Sequence, residues 1–201
     1  MSSITAQFKT TVMRVIGVTA WVCVPIMVIE LLALAGARSY LIQFGIMPRD
    51  TGTLWHIFTA PFIHGSVQHC IGNLSIMAVL VALLAWRSVR AFWMVSIIVI
   101  SLGGFGVWML GRPVLHVGAS GWIFGLWAFA ITSAVYLRHF KDVLIGVLVA
   151  ALYWGMIAGL AVNAERISIE SHWFGMIAGV VSAMWMSAPK WRSKWRRRFG
   201  L

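Results

Sequence analysis

Gly118-Ala119-Ser120-Gly121-Trp122-Ile123-Phe124-Gly125-Leu126-Trp127 opens an apolar run that reaches Val135 and meets no charged side chain before Arg138. At a rise of about 1.5 Å per residue, a helix of this length crosses most of a hydrocarbon core about 30 Å thick. The run therefore reads as a membrane helix with a serine at its head. Alone, the Gly118 to Gly121 tetrad has a plain explanation, since small residues and serines are common where membrane helices pack and a serine can bond its own helix backbone. Its weight comes from what the rest of the chain carries at the same height.

The composition sets the class. With 61% hydrophobic and 10% charged residues, the 201-residue chain has too little polar surface to clothe a water-soluble globule, so an all-α, polytopic integral membrane protein is expected. Six apolar stretches have spanning length, near 14–35, 67–86, 91–110, 118–137, 143–162 and 172–188, forming one membrane domain over 1–201 with a basic tail at 189–201. The first run is not followed by a small-residue cleavage pattern and reads as a retained helix. The one long connection, Gly36 to Ser66, mixes charges with apolar patches and is expected to lie in the interface. Cys23 and Cys70 fall inside apolar segments and imply no disulfide framework.

Charge then sets the orientation. On a six-helix path, 12 of the 16 Lys and Arg residues fall on the side that holds both termini and 4 on the other, so both termini are expected in the cytoplasm. The net charge of +11 raises the question of nucleic acid. A basic segment directly after a membrane helix, such as Lys190 to Arg198, more simply binds anionic lipid and fixes topology. Membrane lipid is thus the expected partner of the tail, and no nucleic acid is.

The same basic residues gauge depth. Ser120 precedes Arg138 by 18 residues, His172 precedes Lys190 by 18, and His69 precedes Arg87 by 18. Three helices therefore carry a polar group about 27 Å above the cytoplasmic boundary. Asn73 follows His69 by four residues and shares its helix face. Polar groups at such depth are costly unless they face a bundle interior or a wet cavity. One such pair could be interhelical glue, but a serine, two histidines and an asparagine together suit acyl transfer. The serine attacks, a histidine takes its proton, and side-chain donors hold the developing oxyanion. Gly121 with Gly125, and Gly175 with Gly179, are spaced four apart on the serine and histidine helices. Such faces let backbones approach closely, which serves packing as well as catalysis.

Counting the acids removes rivals. The aspartates are Asp50, in the outer loop, and Asp142, at the cytoplasmic end of the fifth helix, so they cannot share a proton as an aspartyl protease requires. No HExxH and no zinc-type Cys/His spacing occurs, and neither metal nor cofactor is expected. His64, His116 and His139 lie near helix ends and read as satisfied or solvated. Glu170 reads as a solvated loop residue, leaving no triad acid. A Ser-His dyad is the expected machinery.

These residues resemble the rhomboid family of intramembrane serine proteases. Gly118-Ala119-Ser120-Gly121 matches its GxSG, His172 with Gly175 and Gly179 its HxxGxxxG, and His69 with Asn73 its HxxxN, while His64 stands where the family has a histidine. The ordered match runs from Trp55 to Gly179. The resemblance implies a six-helix bundle with the serine at the top of a short central helix, and transmembrane proteins as substrates. It further implies Ser120 as nucleophile, His172 as general base, His69 and Asn73 as oxyanion donors, and the backbone near Gly118 completing that hole. Phe124 takes the place of the aromatic that packs on the base. Its setting would be a bacterial inner (plasma) membrane. Where the family often has Trp-Arg this chain has Trp55-His56, which puts the anchoring of the first loop in question, since histidine lacks the arginine fork. A non-catalytic rhomboid-like protein that binds transmembrane helices is the alternative. A solute channel fits less well, because the polar groups do not continue toward the cytoplasmic half.

Overall fold

The computed structural model describes residues 2–160 and 168–187. These are helical almost throughout. The order is α1 (Ser2–Leu32), a π-helical turn (Ala33–Ala37), α2 (Arg38–Leu41), short 3-10 segments at Thr51–Phe58 and Ala60–Phe62, and α3 (Val67–Ile98). After these come a π-helical stretch (Val99–Gly103), α4 (Gly104–Leu110), α5 (Ser120–Leu137), α6 (Phe140–Leu152), a 3-10 turn (Trp154–Leu160) and α7 (Ile169–Ser187). Among the described residues the only strand-like pairing is one bridge between Ile46 and His116.

Helix α5 is the centre of the packing. Its residues are buried without a break from Trp122 to Ala130, so it is enclosed on every side, as a helix that is apolar all round must be. It packs most extensively on α7, then on α6 and α3. Outside that core the helices display large apolar side chains, among them Trp21, Leu110 and Phe140. Two helical stretches, Thr5–Phe44 and Val67–Leu110, are long and apolar enough to cross a membrane.

Three boundaries differ from the sequence expectation, each for a local reason. Helix α1 starts at Ser2, well before residue 14, and ends in a kink where Gly36 adopts a φ of 106°. Helix α6 stops at Leu152, ten residues short of the expected 162, and passes through Tyr153 into a 3-10 turn. Helix α7 starts at Ile169 instead of residue 172, because Ser168 caps it and accepts the Ser171 N–H at 3.3 Å. Helix α3 is interrupted at Ser88 by an extended backbone (φ −168°, ψ 111°). The Ser88 hydroxyl accepts from Ala91 N and restarts the helix. Just before that break Arg87 pairs through two nitrogens with Asp142 in the first turn of α6, both side chains buried. Much of the loop expected at 163–171, and the tail at 189–201, lie outside the described residues.

The first loop folds back onto the bundle. Ile46 and His116 exchange two backbone hydrogen bonds of 2.9 Å, Arg49 donates to the Gly111 carbonyl at 2.9 Å, and Trp108 Nε1 donates to the Asp50 carbonyl at 2.8 Å. The Trp55-His56 departure is accommodated here. His56 is buried, with Nδ1 2.9 Å from the Gly45 carbonyl and its ring in contact with Phe44 and Trp55. One backbone acceptor thus anchors the histidine inside the loop.

Candidate active site

Ser120 is the first residue of α5 and is half-buried. The turn before it depends on Gly118, whose φ of 117° is open to glycine and strained for other residues. Gly118 donates its N–H to the Ala60 carbonyl at 2.9 Å. It also lies against α3, so closely that a Cβ there would sit 2.6 Å from Cε1 and 2.8 Å from Nε2 of His69, and 3.5 Å from Nδ2 of Asn73. The backbone leading to the serine is therefore pressed onto His69 and Asn73. No side chain caps the start of α5, where the first N–H groups form the positive end of the helix dipole.

His172 approaches from the other side, at the end of the first turn of α7. Glycines bring its helix onto α5: a Cβ on Gly175 would lie 2.0 Å from the Gly121 carbonyl oxygen, and one on Gly179 would lie 2.0 Å from that of Gly125. Above them, a Cβ on Gly121 would meet the Ser171 carbonyl at 2.9 Å. Ser120 and His172 are the chain neighbours of Gly121 and Ser171, and so flank one close backbone contact. The His172 ring is buried and stacked on Phe124, with centroids 4.2 Å apart and planes at 16°. Phe124 is one turn below the serine on the same helix.

Of the two readings of His64, satisfied or solvated, the structure shows the first, and the groups that satisfy it belong to this cluster. His64 is 2% exposed and its Nε2 lies 3.0 Å from Asn73 Nδ2 and 3.3 Å from Ala119 N. The Ala119 N–H can only donate, so Nε2 is the lone-pair nitrogen and the imidazole hydrogen is on Nδ1. Burial, followed by the charges of His69 and Arg38, pushes its pKa down to about 4, which keeps Nε2 an acceptor at neutral pH. His64 thus takes one N–H of Asn73. The His69 ring meets it edge-on at 5.0 Å. Arg38 steadies the segment by donating to the His64 carbonyl at 2.7 Å while pairing with the buried Glu30 at 2.6 Å. The sequence signal for His64 was its place, five residues before His69, where the family that the sequence resembles has a histidine.

Glu170 is also corrected. It is not solvated but lies in the first turn of α7 and pairs with Arg112, at 2.5 Å from Nε and 3.2 Å from Nη2. Burial acts to raise its pKa, yet the Arg112 hydrogen bonds and charge prevail and hold it down at about 2. It is two residues from His172 and turned away to the 111–118 loop. A cavity of about 40 Å³ lies beside the cluster, lined by Gly118, Gly121, Trp122, Ser171, Gly175 and His116 among others.

Glu30, His64 and Cys70 each bring one potential ligand atom within 4.8 Å of the others. As they stand they suit a metal poorly. Glu30 is engaged by Arg38, and His64, with Nε2 accepting and hydrogen on Nδ1, has no second lone pair to offer.

The rhomboid domain model matches residues 51–189, well over half of the chain and all of the site just described. An uncharacterized protein of Mycobacterium bovis is 33% identical over 165 residues, covering 78% of this chain and 69% of its own length. An uncharacterized protein of Mycobacterium tuberculosis matches to the same extent, and one of Mycobacterium leprae is 33% identical over 166 residues, 78% of this chain and 66% of its own. With helices that pack around a glycine-lined Ser120 segment, and with a family match that spans the bundle from the first loop to the end of α7, the chain belongs to the membrane-embedded rhomboid family.

Proposed function

We propose that this protein is an intramembrane serine endopeptidase that hydrolyses a peptide bond in or near the transmembrane segment of membrane-protein substrates. The observation that carries the reading is the meeting of α5 and α7 at Gly121 and Ser171, with His172 stacked on Phe124 and with His69 and Asn73 against Gly118. In this mechanism His172 takes the Ser120 proton as Oγ attacks the scissile carbonyl. Asn73, His69 and the N–H groups at the head of α5 receive the oxyanion, whose charge exists only after attack. His172 then returns the proton to the leaving amine, and water resolves the acyl-enzyme. Phe124 holds the plane of the imidazole, a contact worth about 0.5–1.5 kcal/mol.

The topology that serves this chemistry is a six-span, multi-pass bundle in a bacterial inner membrane, both termini cytoplasmic and the site near the outer edge. Support comes from the Ser88 break in α3 and from the bias of basic residues. Substrate helices must unwind locally to present a carbonyl, so helix-destabilising sequence near the cut is expected. The test is cleavage of a single-span substrate in proteoliposomes by the native protein beside Ser120→Ala. Cleavage by the native protein alone is expected. If neither preparation cuts any of a panel of substrates, the chain joins the family members that bind transmembrane helices without cutting them.

A further inference from the structure

The serine and histidine segments are tied together by residues placed alike before each. His116 is four residues before Ser120, Ser168 is four residues before His172, and Nδ1 of the first lies 2.6 Å from Oγ of the second. Nε2 of His116 lies 3.0 Å from the Arg112 carbonyl, which can only accept, so the imidazole hydrogen is on Nε2 and Nδ1 accepts from the Ser168 hydroxyl. Ser168 Oγ in turn lies 2.6 Å from Ser171 Oγ and receives the Ser171 N–H at 3.3 Å. The Ser168 carbonyl takes the N–H of His172 at 3.4 Å. One cap hydroxyl therefore connects the first turn of the histidine's helix to the loop that leads into the serine.

The rest of the surroundings stiffen that link. His116 is 2% exposed and its backbone is held by Ile46 in both directions. Burial lowers its pKa, favouring the neutral form that can accept from Ser168. Arg112 and Glu170 make a second bond between the same two segments. His116 and Ser168 bond to each other and to Ile46, Arg112, Ser171 and His172, so their role is separate from that of His64, His69 and Asn73.

We propose that His116 and Ser168 are positioning residues that set the placement of His172 relative to Ser120, filling the orienting role that a triad gives to its acid. The proposal rests on the Ser120–His172 chemistry above. The test uses the full chain in detergent micelles, with His116→Ala, Ser168→Ala, the double variant, Ser168→Thr, and Ser96→Ala as a stability control. Ser96 accepts a buried hydrogen bond from Trp122 Nε1 at 3.0 Å and lies on α3 away from the tie. Two readouts are taken: the rate of labelling by a fluorophosphonate probe, and amide hydrogen exchange along α7.

Each single alanine variant is expected to slow labelling about 10- to 100-fold, the scale of a misplacement near 1 Å. The double variant should be no slower than the slower single, because both remove the same bond. Ser168→Thr, which keeps the hydroxyl, should recover most of the rate. In His116→Ala, exchange should quicken over 169–172 and stay native over 176–187. Native labelling in both single variants, multiplicative losses in the double, or an equal loss in Ser96→Ala at equal melting temperature would overturn the proposal. If His116→Ala does not fold, Ser168→Ala and its threonine rescue decide by the same readouts. Failure of the native protein itself to label would instead remove the Ser-His reading, and the exchange pattern would still decide whether the tie exists.

Discussion

Substituting Gly175 by alanine probes the contact on which the site is built. The added methyl would lie 2.0 Å from the Gly121 carbonyl oxygen and 2.7 Å from its carbon, both backbone atoms that cannot rotate aside. To reach even a tight 3.0 Å contact, α7 must move about 1 Å away from α5. Gly175 is also close to Gly103 of the π-helical stretch, where a Cβ would be 3.3 Å from the Gly175 Cα. Overpacking of this kind costs about 1–3 kcal/mol, and the upper end applies where backbone meets backbone. His172 lies one turn above Gly175, so a shift near 1 Å there is expected to slow acylation about 100-fold. The assay is the second-order rate of fluorophosphonate labelling, with melting temperature on the same preparation. Gly17→Ala serves as the comparison, since nothing lies within 4 Å of a Cβ at that site, and it should leave both quantities unchanged. A Gly175→Ala protein that melts and labels like the native one would refute the close-approach argument.

Asn73→Ala is expected to lower kcat by about 10²–10³ with little change in KM, as loss of a donor to transition-state charge requires. A destabilised but fully active variant would make Asn73 interhelical glue, worth about 0.5–2 kcal/mol. Acidification should destabilise the fold in two windows. His64, depressed from 6.5 to about 4, resists a proton that the unfolded chain accepts, so stability falls as pH drops from 6.5 to 4, and His64→Gln should flatten that slope in a thermal-shift series. Glu170, lowered from 4.5 to about 2, contributes stability that is present above pH 4.5 and lost toward pH 2, a step that Glu170→Gln should remove. Arg87→Ala strands Asp142 without its ion-pair partner and is expected to cost about 3–5 kcal/mol in thermal or denaturant stability, while labelling of the folded fraction stays native.

What was legible in the sequence is what repeats along a helix or sits within one turn. The Gly121/Gly125 and Gly175/Gly179 pairs and the His69/Asn73 face follow from spacings of three to four residues, whereas the stacking of Phe124 on His172 joins two helices and was not readable from spacing. The break near residue 88 was also visible, as the charged Arg87-Ser88-Val89-Arg90 between apolar runs. What escaped depends on loops folding back. His64 reaches Asn73 and Ala119 only because the first loop turns at Gly65-Ser66 onto the head of α3, and no periodicity announces that. Glu170 looked solvated because its partner, Arg112, is 58 residues away in sequence. The early end of α6 is set by Tyr153-Trp154-Gly155, where apolar content remained high enough to suggest a continuing span.

The most direct test of the central claim is mass-spectrometric mapping of a fluorophosphonate adduct on the full chain in detergent, native beside Ser120→Ala and His172→Ala. A single adduct on Ser120 is expected in the native protein and none in either variant, with Gly17→Ala labelled as native. Labelling at any other serine, or labelling of Ser120 that survives the loss of His172, would contradict a Ser120–His172 dyad.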